Sequence, residues 1–140
     1  MRVVLDVNVW ISGWLWGGVP GQIILMAENQ QITVFVSEPI LQELETTFKK
    51  AKLQARIQLL ATTVDALVSK TQKLSQFCPT TFLNFPLLRD PDDTIILATA
   101  NAAKANVIVT GDLDLLILSE FQGIPILKPI DFISRYFPAT

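Results

Sequence analysis

Apolar positions fall into two arrangements along the chain, short unbroken runs and longer stretches with helical spacing, and the two alternate. Val3-Val4-Leu5, continued by Val7 and Val9, predicts a buried strand over residues 2–9. A loop with Gly13, Gly17 and Gly18 follows, and Pro20 suits the first turn of a helix running to Asn29. Ile32 to Val36 reads as a second strand. Ser37 as N-cap and Pro39 in the first turn open a helix whose buried face is Ile40, Leu41, Leu44 and Phe48. Leu53, Ile57, Leu60, Val64, Leu67 and Val68 predict one longer helix over 52–74. Residues 77–91 hold Pro79, Pro86 and Pro91 and are expected to be irregular, with room for a short strand. Asp90-Pro91-Asp92-Asp93 then starts a helix to Ala103. Val107 to Val109 is a strand ended by Gly111, Leu113 to Leu118 a short helix, Ile124 to Leu127 a strand, and Pro129 opens a last helix.

The strands are continuously apolar rather than alternating, and helices separate them. That predicts an α/β fold with a central parallel sheet of about four or five strands covered by helices on both faces, a three-layer α/β/α arrangement. At 140 residues, without repeats, low-complexity segments or a linker, the whole chain is expected to be one domain.

Composition narrows the classes. Half the residues are hydrophobic, and a mean hydropathy of +0.41 exceeds what a core of this size needs, so part of the surplus is expected to cover a partner surface. A net charge of −2 and a pI of 5.0 exclude a general nucleic-acid coat protein, though not an enzyme that reaches nucleic acid through metal ions and a local basic patch. Cys78 is the sole cysteine and can form no internal disulfide, which fits a reducing, cytoplasmic setting. No signal-peptide pattern opens the chain, and no apolar run approaches the ~20 residues of a membrane span.

Five carboxylates stand out at the ends of predicted elements: Asp6, Glu43, Asp93, Asp112 and Asp114. Most adjoin apolar runs, where a charge persists only if paired, hydrogen-bonded or bound to metal. With no histidine and one cysteine, a site with soft ligands is excluded, and an oxygen-only cluster suits Mg²⁺ or Mn²⁺. Asp6 interrupts the first strand and is expected to point with Asn8, near the carboxyl end where open parallel sheets bind ligands. A buried Asp bonded to a neighbouring turn is the plainer alternative. Asp112 follows a strand, and capping of the next helix competes with a role in a site. Asp114 lies in the first turn of that helix, where it can serve the helix dipole or the site. Asp93 stacks above Ile96, Leu97 and Ala100 along the buried stripe of its helix, whereas Asp90 and Asp92 suit capping or surface charge. Glu43 and Glu45 flank opposite sides of the face formed by Ile40, Leu41, Leu44 and Phe48, and periodicity does not choose between them.

Several of these segments, in this order, resemble the PIN-domain ribonucleases, close to the toxin-component (VapC-like) type of prokaryotic toxin–antitoxin pairs. The resemblance rests on Val4-Leu5-Asp6-Val7-Asn8-Val9, Leu41-Gln42-Glu43-Leu44, Arg89-Asp90-Pro91-Asp92-Asp93 leading into Ile96-Leu97-Ala98-Thr99-Ala100, Val109-Thr110-Gly111-Asp112-Leu113-Asp114-Leu115-Leu116, and the tail Pro129-Ile130-Asp131-Phe132-Ile133. Each motif is weak alone; together they span nearly the whole chain. The resemblance implies a single PIN-like domain with catalytic acids at Asp6, Glu43, Asp93 and Asp112. It also implies metal contacts from Asp6, Asp93, Asp112 and the auxiliary Asp114, with Asn8 and Thr110 beside them. Val7 departs from the Thr or Ser common in the family. It is expected to face away from Asp6, so that only a hydroxyl contact is lost.

What the resemblance implies is hydrolysis of an RNA phosphodiester with Mg²⁺ or Mn²⁺, leaving a 5′-phosphate, with Glu43 orienting or deprotonating the attacking water. The lack of histidine excludes a His pair acting as acid and base. Clustered carboxylates would not all ionise without a cation. Lys49, Lys50, Lys52 and Arg56 form a short basic run, and Arg89 adjoins the site motif; all are candidate RNA contacts, against the plainer reading of a solvated helix face. Trp14 and Trp16 suit base stacking or, better, an interface with a second subunit or inhibitor, with a core role for one of them as a further alternative, while Trp10 is expected in the core. A cognate antitoxin protein and a homodimer are the expected partners, with no membrane. An aspartyl-nucleophile phosphatase needs a second Asp where Asn8 stands. A catalytically silent PIN-like module would not need all four acids. A housekeeping RNA-processing nuclease would share the chemistry and differ in lacking an adjacent antitoxin gene.

Overall fold

The computed structural model describes residues 1–80 and 91–138, with residues 91 and 92 described by their backbone alone. Chain order is β1 (Arg2–Leu5), α1 (Val7–Trp16), α2 (Gly18–Glu28), β2 (Thr33–Val36), α3 (Glu38–Phe48), α4 (Ala51–Leu59), α5 (Val64–Leu74), β3 (Gln76–Phe77), α6 (Pro91–Ala103), β4 (Val107–Val109), α7 (Leu113–Leu116), β5 (Glu120–Phe121), β6 (Ile124–Leu127) and α8 (Pro129–Tyr136). Among the described residues these six strands form one sheet in the order β3-β2-β1-β4-β6-β5. All neighbours are parallel except β5, which pairs antiparallel to β6.

The α/β reading of the sequence holds. Val3, Val4 and Leu5 in β1 and Val107, Ile108 and Val109 in β4 are fully buried. Because successive strand residues point to opposite faces, consecutive burial means that both faces of the sheet are covered. The sheet is wider than expected and mixed. The added hairpin uses Gln122 and Gly123, both at positive φ (51° and 82°), as a two-residue connection between Phe121 and Ile124. Two-residue strands are too short to leave an alternation in the sequence.

Three boundaries depart from expectation. The first strand ends at Leu5, and α1 runs through Gly13 where a loop was expected. Val7, Val9, Trp10, Ile11 and Leu15 are the buried face of a helix, and the spacing of Val7 and Val9 imitates a strand. Gly13 is needed because α2 crosses tightly here: a Cβ would run into the Ile24 side chain and lie 3.1 Å from the Pro20 carbonyl carbon and oxygen. The chain then turns out of α1 through Gly17 and Gly18, both at positive φ. The long helix expected over 52–74 is two helices. Ala61 adopts a left-handed φ of 55°, and Thr63 caps the second by accepting the Ala66 N–H at 3.1 Å. The helix after Gly111 stops at Leu116, earlier than expected.

The order of the central strands positions the site. β1 has β2 on one side and β4 on the other, so the chain order reverses at β1. Crevices at such points, beyond the carboxyl ends of the strands, are where open α/β sheets bind ligands.

Candidate active site

Asp6 ends β1 and is the N-cap residue of α1: its N–H donates to the Val109 carbonyl at 2.9 Å, and its own carbonyl accepts from Val9 and Trp10. It therefore sits at the switch point, joined to β4. Its side chain is only 8% exposed, and its Oδ2 accepts the Thr110 hydroxyl at 2.6 Å. Thr110 is fully buried and its Oγ1 in turn accepts the Asp112 N–H at 3.0 Å. Asp112 caps α7, its Oδ1 accepting the Asp114 N–H at 2.8 Å. Asp112 thus caps α7 and also lines the cleft described next.

A cleft of about 210 Å³ opens here, lined by Asp6, Val7, Asn8, Glu43, Thr47, Lys50, Asp93, Ile95, Ile96 and Asp112. Its walls come from the β1–α1 junction, α3, α6 and the β4–α7 turn. Four carboxylates from four separate parts of the chain thus share one cavity. Asp93 is 3% exposed at the start of α6, on the stripe that carries Ile96 and Leu97 into the core. Asp93, Asp112 and Asp114 each offer an oxygen within 4.8 Å of the others, a spacing that one cation can bridge. Asp6 and Glu43 belong to the cleft but not to that trio, and Asp114 belongs to the trio but does not line the cleft.

Burial pushes the Asp6 carboxyl above its ordinary value. The Thr110 hydroxyl and the N–H groups of Val7 and Asn8 pull it down, and the negative charge of Asp112 pushes it up again. Asp6 makes no side-chain cap hydrogen bond to α1, so those N–H groups act at longer range. The net result is a carboxyl held above its ordinary value, so that it ionises less readily than a free aspartate.

Glu43 and Glu45 have different surroundings. Glu43 lines the cleft, whereas Glu45 pairs with Lys49 at 3.0 Å on the outer face of α3. Val7 borders the cleft beside Asp6 and also belongs to the buried core, as the first residue of a helix and not the next residue of a strand. Trp14 and Trp16 lie on α1 rather than in a loop. Trp14 is stacked on Trp10 with centroids 6.4 Å apart and donates Nε1–H to Thr71 Oγ1 at 2.9 Å. Trp16 is 56% exposed beneath the Arg56 guanidinium, which also donates to the Leu15 carbonyl at 2.7 Å. Trp10 is in the core, fully buried. Of the basic run, Lys50 lines the cleft, while Lys49 and Lys52 are exposed elsewhere. Arg89 lies outside the described residues. Thr47 was not anticipated; its signal was its spacing, one helical turn beyond Glu43.

Residues 2–114 match the family model described as PIN domain. Among curated proteins no sequence matches. Among solved structures, the fold is similar to VapBC2 from Rickettsia felis bound to a DNA fragment from their promoter, with a TM-score of 0.60 and 15% identity over 90% of this chain and 97% of that one.

Proposed function

The chain belongs to the PIN-domain family, and from that premise we propose that it is a Mg²⁺- or Mn²⁺-dependent endoribonuclease, the toxin component of a toxin–antitoxin pair. The observation that carries the proposal is the convergence of Asp6, Glu43, Asp93 and Asp112 on one cleft at the switch point of the sheet. An arrangement that concentrates like charge in a partly buried cavity is costly unless a cation or a cationic partner offsets it.

The donor set fits a hard divalent ion. Every donor is a carboxylate oxygen, and the oxygens of Asp93, Asp112 and Asp114 are close enough to share one. These three residues would hold the ion, with Asp6 as a further ligand directly or through water. When bound, the ion lowers the pKa of coordinated water and offsets charge on the phosphoryl oxygens.

The chain's own groups do the rest. Thr110 directs the Asp6 carboxylate by donating to Oδ2 and ties it to the Asp112 backbone. Glu43, half-buried on α3, orients the attacking water or takes its proton as the in-line displacement begins. Asn8 supplies a polar side chain at the mouth of the cleft. Hydrolysis in this sense leaves a 5′-phosphate and a 3′-hydroxyl.

The toxin assignment draws support from the likeness to VapBC2, with an antitoxin protein as the corresponding partner. The proposed homodimer draws support from the exposed apolar side chains Trp16, Leu25, Leu113 and Ile117. No described helix is long and apolar enough to cross a membrane, and the proposed place of action is the cytoplasm. The test is incubation of labelled single-stranded RNA with the purified protein and Mg²⁺, Mn²⁺ or EDTA, with Asp6→Asn in parallel. Cleavage that needs metal, yields 5′-phosphate ends and vanishes in Asp6→Asn is expected. Equal cleavage in EDTA or by the variant overturns the reading.

A further inference from the structure

We infer that Lys50 is the phosphate-binding residue of the cleft, holding the RNA backbone against the wall that carries Glu43; this rests on the nuclease reading and assigns the substrate contact within it. Glu43, Thr47 and Lys50 are spaced i, i+4 and i+7, so they form one stripe. All three line the cleft. The stripe runs from a carboxylate through a buried hydroxyl to an exposed ammonium, continuing past the last residue of α3, Phe48.

The backbone at Lys50 is fixed on both sides. Its N–H donates to the Thr47 carbonyl at 3.1 Å, and its carbonyl accepts the Leu53 N–H at 3.0 Å as the N-cap of α4. Gln54 Nε2 ties the same corner to the Phe48 carbonyl at 2.7 Å. The backbone that carries Lys50 is thus fixed while its side chain is exposed at the cleft, which suits a point-charge contact to a phosphate oxygen.

The neighbouring cations are placed otherwise. Lys49 is paired with Glu45, Lys52 lies on α4 away from the cleft, and Arg56 is engaged with Trp16 and the Leu15 carbonyl. Among the described residues lining the cleft, Lys50 carries the only positive side chain. A phosphodiester approaching four carboxylates needs attraction from the protein as well as from bound cations, and Lys50 is positioned to supply it.

The experiment compares wild type, Lys50→Ala, Lys50→Arg and the controls Lys49→Ala and Lys52→Ala. Steady-state cleavage of single-stranded RNA is measured with Mn²⁺ across a salt series. Binding of a fluorescein-labelled RNA oligonucleotide is measured by anisotropy with Ca²⁺ in place of Mn²⁺. Loss of one charge-assisted contact should lower kcat/KM and affinity about 10–100-fold in Lys50→Ala. The salt dependence should flatten by about 0.7 in log–log slope, the share of one phosphate on a single strand. Lys50→Arg should recover most of both, the controls should match wild type, and Mn²⁺ affinity should not fall in Lys50→Ala. Unchanged RNA affinity and salt slope in Lys50→Ala overturn the inference, as do equal losses in the controls. If wild type fails to cleave in any metal, the nuclease reading fails, and the anisotropy comparison still decides the role of Lys50.

Discussion

Thr110 joins Asp6 to Asp112: its hydroxyl donates to Asp6 Oδ2 at 2.6 Å while accepting the Asp112 N–H at 3.0 Å. One buried side chain thus links two acids, Asp6 and Asp112, that lie far apart in the sequence and that the β1–β4 pairing brings together. Thr110→Val keeps the shape and removes both bonds. It should cost about 1–3 kcal/mol in urea unfolding, because a buried acceptor and a part-buried N–H lose their partner. Metal affinity or activity should fall about 10–100-fold, while Thr110→Ser stays near wild type. Equal activity of the Val and Ser variants would remove Thr110 from the account.

The raised Asp6 carboxyl makes a pH prediction for the metal-free protein. Its folded value lies above the ordinary 3.8, so the folded state binds more protons than the unfolded chain between the two values. Stability from this group is fully present below the unfolded value and is lost as pH rises through the folded one. In EDTA at pH 7, Asp6→Asn should therefore unfold at higher urea than wild type, and the gap should narrow as pH falls toward 4. A variant less stable than wild type throughout that range would show that Asp6 is not a strained anion.

Ser37 and Thr99 link the helix bearing Glu43 to the helix bearing Asp93. Both are fully buried, with oxygens 2.7 Å apart. Thr99 spends its proton on the Ile95 carbonyl at 2.8 Å, so Ser37 is the donor between them. Thr99→Val strands the Ser37 hydroxyl and should cost about 1–3 kcal/mol, whereas Ser37→Ala should cost about 1 kcal/mol. A double-mutant cycle by chemical denaturation checks this, and purely additive losses would contradict the bond.

At the α1–α2 crossing, Gly13→Ala should destabilise by about 1–3 kcal/mol, because Ile24 and the Pro20 backbone occupy the space a methyl needs. Thermal denaturation reads the effect, and an unchanged melting temperature would mean that α2 can shift freely.

Much of this architecture was legible in the chain. Val3-Val4-Leu5 and Val107-Ile108-Val109 announce strands buried on both faces, and the Ile40, Leu41, Leu44 and Phe48 face of α3 is as its periodicity predicts. What misled was local imitation. Val7 and Val9 continue an apolar alternation although they belong to a helix, which carried the expected strand past Asp6. Gly13 looked like a loop residue because close helix packing and chain flexibility ask for the same residue type. Around the cleft, the burial of Asp93 was legible from its place on a core stripe, whereas periodicity left Glu43 and Glu45 equivalent and only the resemblance chose Glu43, the residue that lines the cleft while Glu45 pairs with Lys49. The position of Lys50 depends on how α3 ends and α4 begins, a turn that periodicity does not encode.

The central claim is that the acids of this cleft hold a divalent ion that RNA cleavage requires. The most direct measurement is a calorimetric Mn²⁺ titration of wild type, Asp93→Asn and Asp112→Asn, with RNA cleavage followed on the same samples. The account predicts saturable binding and cleavage by wild type, with both lost or weakened at least about 10-fold in each variant. Full Mn²⁺ affinity and full cleavage in either variant would contradict it.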